Sequence, residues 1–235
     1  MRGSRHRGHS LTLISDPSHD FLPSADLDDL MYRVFAIVLL TLGAGGTVLA
    51  ADALVGDAVA GQGKTAVCGA CHGPDGNSLV PGFPKLAGQG ERYLLKQMQD
   101  IKNSKRVVIE MTGMLSGLGD QDLADIAAYY AGQKSSVGAA DEKLVARGEA
   151  LFRGGNLGEG LPACAGCHSP DGAGNAQAGF PHLGGQHADY IKKQLTAFRE
   201  GERHNDGDTM VMRSIAAKLS TQDIEALAQY IQGLH

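Results

Sequence analysis

Tryptophan is missing from this chain, and six tyrosines and six phenylalanines bring aromatics to only 5% of its 235 residues. A core built on large rings is excluded, although 43% hydrophobic residues still allow one made of Leu, Ile, Val and Ala. Strong charge of either sign is missing as well. The formal net charge is −5; residues 51–134 carry 8 basic and 9 acidic side chains, residues 135–235 carry 9 and 12. Neither half offers the basic surface that nucleic acid selects, so no nucleic-acid partner is expected. Mixed signs along the chain read as a solvated surface. Convincing strand alternation is absent too, which leaves helices and loops.

Long apolar runs are also lacking. The run Phe35 to Leu42 meets Gly43, Gly45 and Gly46, short of the roughly 20 residues a spanning helix needs. It follows Met31 and Arg33 and precedes Val48-Leu49-Ala50. A basic start, a short apolar stretch and a small-residue cleavage site make residues 31–50 a secretory signal peptide. Cleavage is expected after Ala50, with Ala53 the second candidate. Residues 1–30 are polar, hold Arg2, Arg5, Arg7, His6, His9 and His19, and lie upstream of that self-sufficient signal. They read as a mis-assigned start or a non-native extension, with no metal-site spacing among the histidines.

What the chain does have is a repeat. Cys68-Gly69-Ala70-Cys71-His72 matches Cys164-Ala165-Gly166-Cys167-His168, and each is followed by Pro-Asp-Gly. Gly82-Phe83-Pro84-Lys85-Leu86 matches Gly179-Phe180-Pro181-His182-Leu183. Gln89, Tyr93 and Gln97 match Gln186, Tyr190 and Gln194, and Gln121-Asp122-Leu123 matches Gln222-Asp223-Ile224. Order is kept while the offset drifts from 96 to 101. This is a tandem duplication of a unit of about 90 residues, the size of a small domain. The expected domains are 51–134 and 143–235, joined by a small, polar linker at 135–142.

Each unit reads as helical. Tyr93, Leu94, Gln97, Met98 and Ile101 recur at helical spacing, as do Leu123, Ile126, Ala127 and Tyr130. Asp120 or Gln121 is expected to open the last helix of the first unit, and Ser220 that of the second, with Asp223 at the capping-box position. Gly61 and Gly148 are expected in the first helices, letting Tyr129 and Tyr230 of the last helices approach. A few helices joined by long Gly/Pro loops pack poorly alone, so each unit needs a large apolar object inside it.

The four cysteines supply the means of holding one. Two thiols at Cys-x-x-Cys spacing can add across the vinyl groups of a haem, and the His that follows is placed under the iron. Two copies behind a signal peptide predict two covalently attached haem c groups, on Cys68 and Cys71 and on Cys164 and Cys167, with His72 and His168 as proximal ligands. Zinc would need the pairs to converge, yet 92 residues separate Cys71 from Cys164. Thiol redox chemistry would need a βαβ context that is missing.

A second axial ligand completes an electron-carrying iron, and methionine is the common one. At the offset of the last helix Met111 falls on Met212, whereas Met114 falls on Ile215 and Met210 on Ile109. Met111 and Met212 are therefore the expected distal ligands, and Met98 is left to core packing. Pro84 and Pro181 follow their histidines by 12 and 13 residues; their carbonyls can accept Nδ1–H and fix the imidazole. His182, His187, His204 and His235 have no histidine counterpart in the repeat and are expected at the surface.

From about Gly56 to His235 the chain resembles the cytochrome c4 type of diheme cytochrome c. The likeness lies in Val67 to Gly73, Phe83 to Gln89, Glu110 to Met114, Phe180 to Gln186 and Asn205 to Met212. The resemblance implies an all-α fold of two tandem class I cytochrome c domains, with His72 and Met111 on one iron and His168 and Met212 on the other. It also implies a periplasmic electron carrier, free or loosely held at the inner membrane, running from a quinol-cytochrome c oxidoreductase to a terminal oxidase; the chain is expected to act as a monomer. The alternatives are a diheme peroxidase or sulfur-compound oxidising enzyme, which needs one open iron, and a haem module within a larger complex.

Overall fold

The structure is a computed structural model that describes residues 54–235 together with Met31. The rest of the expected signal peptide, both cleavage candidates and residues 1–30 with their three histidines lie outside the described residues.

The first half runs α1 (Ala58–Gln62), α2 (Ala66–His72), α3 (Glu91–Lys102), a 3-10 turn (Ile109–Met111) and α4 (Asp120–Ala131). The second runs α5 (Glu142–Gly154), a 3-10 turn (Leu157–Glu159), α6 (Ala165–His168), α7 (Ala188–Arg199), α8 (Val211–Ala216) and α9 (Thr221–Gly233). Among the described residues there is no strand beyond two isolated bridges, and no helix is long and apolar enough to cross a membrane. The fold is all-α.

Side-chain oxygens open several of these helices. Asp57 accepts from the amides of Val59 and Ala60, and Asp141 from that of Lys143. Ser220 accepts from Asp223 N at 3.1 Å while the Asp223 carboxylate takes Ser220 N at 3.0 Å, a capping box closed by Asp instead of Glu. Helix α4 begins at Asp120 after Gly119, whose N–H goes to Asp122 at 2.8 Å.

In each half the first helix crosses the last. A Cβ on Gly61 would lie 2.0 Å from Asp125 O, and one on Gly148 would lie 2.2 Å from Ala226 O. The approach expected of an aromatic ring is thus made by the main chain of the last helix; Tyr230 comes near only through its own Cβ. Without a Cβ the glycine lets two backbones touch, which a ring standing off the helix could not do.

The second half has the fuller apolar centre, with Phe152, Ile191, Leu219, Ile224, Leu227 and Ile231 buried together. The first has a thinner one around Leu94, Ile126, Ala127 and Tyr130, with Met98 packed against it.

Residues 132–141 carry no helix, yet they are laced to both halves. Asn77 Nδ2 donates to Lys134 O and Lys85 Nζ to Ser136 O, while Gly138 N donates to Gln232 O. The halves also bond directly. Lys85 N donates to Gln186 Oε1 and Gln186 Nε2 donates back to Lys85 O, both at 2.9 Å. His182 and His187 are half-buried in this contact, not at the surface as expected; His187 Nε2 lies 2.8 Å from Ser78 O. A repeat comparison shows what the halves share, and these histidines serve the contact between them. His204 and His235 are exposed.

Candidate haem sites

Helix α2 carries Cys68, Cys71 and His72 within two turns, and the turn Ile109–Met111 carries Met111. These residues, with Pro84, line one cavity of about 870 Å³. Its apolar wall includes Leu94, Met98, Ile101, Leu115, Leu118 and Ile126. Met114 lines it as well, so three methionines face the cavity, and the repeat is what prefers Met111. In the second half Cys164 precedes α6, which ends on His168; Cys164 and Leu183 pack against the apolar core. Met212 is half-buried on α8, just after Met210, whose φ of +48° is in the left-handed region.

Both histidines are 8% exposed and hold the same bond. His72 Nδ1 lies 2.9 Å from Pro84 O, and His168 Nδ1 lies 3.0 Å from Pro181 O. A carbonyl can only accept, so the proton sits on Nδ1 and the lone pair on Nε2. Burial pushes both imidazoles below their ordinary pKa against the pull of the carbonyl, which keeps them neutral at neutral pH. Phe83 and Phe180 set their rings 6.3 and 6.4 Å from the same imidazoles. Sequence reading missed this pairing, though both phenylalanines stand in the repeated Phe-Pro segment.

No disulfide joins Cys68, Cys71, Cys164 or Cys167. Burial raises the Cys68 pKa and takes Cys164 up to about 11, so neither is a standing thiolate of the kind redox cysteines need. Among the described residues no three His, Cys, Asp or Glu side chains converge on a metal-sized point. That donor set does not suit zinc. It does suit haem: an apolar cavity walled by paired thiols, an imidazole with a free Nε2 and a thioether. The buried Tyr130 hydroxyl also lines the cavity, where Thr65 is its nearest polar neighbour and makes no well-formed hydrogen bond with it.

Comparison with known proteins agrees. The sequence model of the cytochrome c family matches residues 58–132 and again 145–235. Cytochrome c4 of Pseudomonas aeruginosa is 69% identical over 205 residues, which is 87% of this chain and all of that protein. The crystal structure of reduced recombinant cytochrome c4 from Pseudomonas stutzeri is 68% identical, with a TM-score of 0.76 over 77% of this chain and all of that one. More distantly, the thiosulfate dehydrogenase electron acceptor of Thiomonas intermedia is 34% identical over 72% of this chain and 78% of its own length. The chain belongs to the cytochrome c family and, within it, to the cytochrome c4 type, diheme electron-transfer proteins with two covalently bound haem c groups.

Proposed function

We propose that this chain is a periplasmic carrier that takes electrons from a quinol-oxidising complex and delivers them to a terminal oxidase. Cys68 and Cys71 hold the first haem and Cys164 and Cys167 the second. His72 and Met111 ligate one iron, His168 and Met212 the other. Bound haem supplies a one-electron couple. The chain's own part is to fix each imidazole through the Pro84 or Pro181 carbonyl, to keep water from the first site with an apolar wall, and to set a thioether opposite, which raises the potential. The observation that carries the reading is the twofold occurrence of the His–Pro bond, 2.9 and 3.0 Å, directly behind each cysteine pair.

The signal-like segment 31–50 supports export, and a monomer at most loosely associated with the inner membrane suits a shuttle. An oxidising enzyme needs one iron open to substrate, whereas Met111 and Met212 fall on each other in the repeat. The likeness to a thiosulfate dehydrogenase electron acceptor favours a second reading only for the donor: a sulfur-compound dehydrogenase in place of the quinol-oxidising complex.

The test is a potentiometric titration of the mature protein with a haem count. Two haems, two one-electron waves and the weak far-red band of Met-ligated ferric haem are expected. Met111→Ala and Met212→Ala should each lower one wave and leave both haems attached. A variant that moved neither wave would refute the distal assignment.

A further inference from the structure

The two distal methionines are held by unequal means. Met212 sits on α8, where Arg213 N donates to Asp206 Oδ2 at 2.9 Å and Arg213 Nε to Asp206 Oδ1 at 2.7 Å. That carboxylate is buried, and so is Ala216 at the end of the helix. Met111 sits on a 3-10 turn whose bonds are local: Met111 N to Val108 O at 3.0 Å, Thr112 N to Ile109 O at 3.1 Å and Met114 N to Met111 O at 3.1 Å. From Val107 to Ser116 only Leu115 is buried. Among the described residues, one hydrogen bond from this stretch reaches more than three residues along the chain. Lys193 Nζ of the second half donates to Glu110 Oε1 at 3.2 Å, and both side chains are about half exposed.

Met111 also has somewhere to go. It lines the haem cavity and, with Ile101, Val107 and Leu115, a second cavity of about 140 Å³. A cavity of about 150 Å³ holds a benzene ring in a protein interior, so a thioether fits in this one. A stretch with few buried contacts and exposed hydrogen bonds opens at low free-energy cost. Helix α8, pinned by its buried ion pair, is the opposite case.

We propose that residues 107–114 form a gate at the first site. Met111 swings off the iron into the smaller cavity, which opens the distal side to a small neutral diatomic ligand of the carbon monoxide or nitric oxide kind. Lys193 of the second half is the positioning residue that holds the gate shut through Glu110. The exchange swaps one neutral donor for another and moves no electron or proton. The apolar wall of Leu94, Leu115, Leu118 and Ile126 favours a neutral ligand over an ion, which would lose its hydration there. The departing thioether ends in a sulfur and a methyl, so a ligand of two heavy atoms matches the place it leaves. All this rests on the reading of His72 and Met111 as the first iron's ligands.

The test uses the full holoprotein, reduced, with carbon monoxide as the probe. The first haem's wave is identified as the one that Met111→Ala moves. Carbon monoxide should saturate at one per chain and shift that wave alone. Its binding rate should level off at high concentration, where opening of the gate becomes limiting. Met111→Ala has no thioether to release and should bind in proportion to concentration. Lys193→Gln should raise the limiting rate about two- to fivefold, the range open to an exposed ion pair, and Lys193→Arg should restore it. Added salt should speed the unsubstituted protein and leave Lys193→Gln as it is. Hydrogen exchange supplies a readout apart from the iron. The amides of Met111, Thr112 and Met114 should exchange faster than those of Arg213 and Ser214, and Lys193→Gln should speed only the first group.

Carbon monoxide bound at both haems or at neither, a limiting rate untouched by Lys193→Gln, or faster exchange in both groups would overturn the gate while leaving the haem assignment standing. Failure of that assignment looks different: the unsubstituted protein would lack the first haem, or Met111→Ala would move neither wave, and the proposal would fall with it.

Discussion

Gln89 lays its side-chain amide along the backbone of His182, accepting from His182 N at 2.8 Å and donating to His182 O at 2.9 Å. Gln186 does the same to Lys85, the residue that corresponds to His182. A pairing in which each partner's role is repeated by the other is the mark of a two-fold contact, here between halves of one chain. Gln89 and Gln186 are each 7% exposed, so removing either amide strands buried backbone groups on the facing half.

The halves should therefore unfold together only while these amides are present. Gln89→Ala or Gln186→Ala is expected to cost about 1–3 kcal/mol, the usual penalty for an unsatisfied buried polar group. The double variant should split a single calorimetric transition into two. A double variant that still melted as one unit would show that the remaining bonds couple the halves.

Gly61 and Gly148 make a second, sharper prediction. An added methyl would sit 2.0 Å from Asp125 O in one case and 2.2 Å from Ala226 O in the other, and a backbone carbonyl cannot rotate away. Gly61→Ala and Gly148→Ala should each destabilise the protein by about 1–3 kcal/mol, the cost of overpacking. Thermal unfolding followed at each haem band measures this, and an unchanged midpoint would refute the close crossing.

Acid should act on the fold through Asp125. Asp125 accepts from Asp57 N at 2.9 Å, Lys64 Nζ at 2.6 Å and Gln121 Nε2 at 2.8 Å. These bonds, the backbone one first, hold its pKa down from 3.8 to about 2. A depressed carboxylate stabilises the fold above its unfolded pKa, and that share is lost as pH falls from near 4 through about 2. The corresponding residue of the second half is Ala226, which has nothing to lose. Asp125→Asn should lower the thermal midpoint at pH 6 and flatten its decline between pH 4 and 2. A midpoint-against-pH curve that matched the unsubstituted protein would show that the carboxylate contributes nothing.

Much of this was legible because covalent haem attachment is local chemistry. Cys68, Cys71 and His72 must be near neighbours in sequence to act together, and duplication printed the pattern twice. The same duplication paired Pro84 with Pro181 at nearly the same distance after each histidine. Contacts between unlike parts left no such trace. Gln89, Tyr93 and Gln97 appear in the repeat beside Gln186, Tyr190 and Gln194, yet matching shows only that both halves own them. That they bind one another follows from a two-fold axis, which sequence comparison does not contain. A usable signal was nevertheless there: Tyr93 and Gln97 are polar residues on the apolar face of α3, out of place unless something polar meets them. Arg106 and Arg203 are what meets them. Asp125 against Gly61 was hidden for a different reason, since a glycine reports that something comes close but not what.

The last prediction concerns an asymmetry the repeat places in plain view. Tyr130 corresponds to Ile231, so the first cavity has a phenol where the second half has a hydrocarbon. Tyr130 is 1% exposed and its hydroxyl has no well-formed hydrogen bond, Thr65 being its nearest polar neighbour; desolvation makes that costly and drives its pKa upward. Tyr130→Phe keeps the ring that packs at 5.2 Å against Tyr129 and deletes only the stranded oxygen. The first half of the holoprotein should become more stable by about 1 kcal/mol, the low end of the penalty for a buried unsatisfied group. Its haem should stay attached, and the single unfolding transition should rise. Loss of stability would mean that the hydroxyl finds a partner once haem is in place, and the phenol would then belong to the haem's hydrogen-bonding shell instead of being a cost that the first half carries.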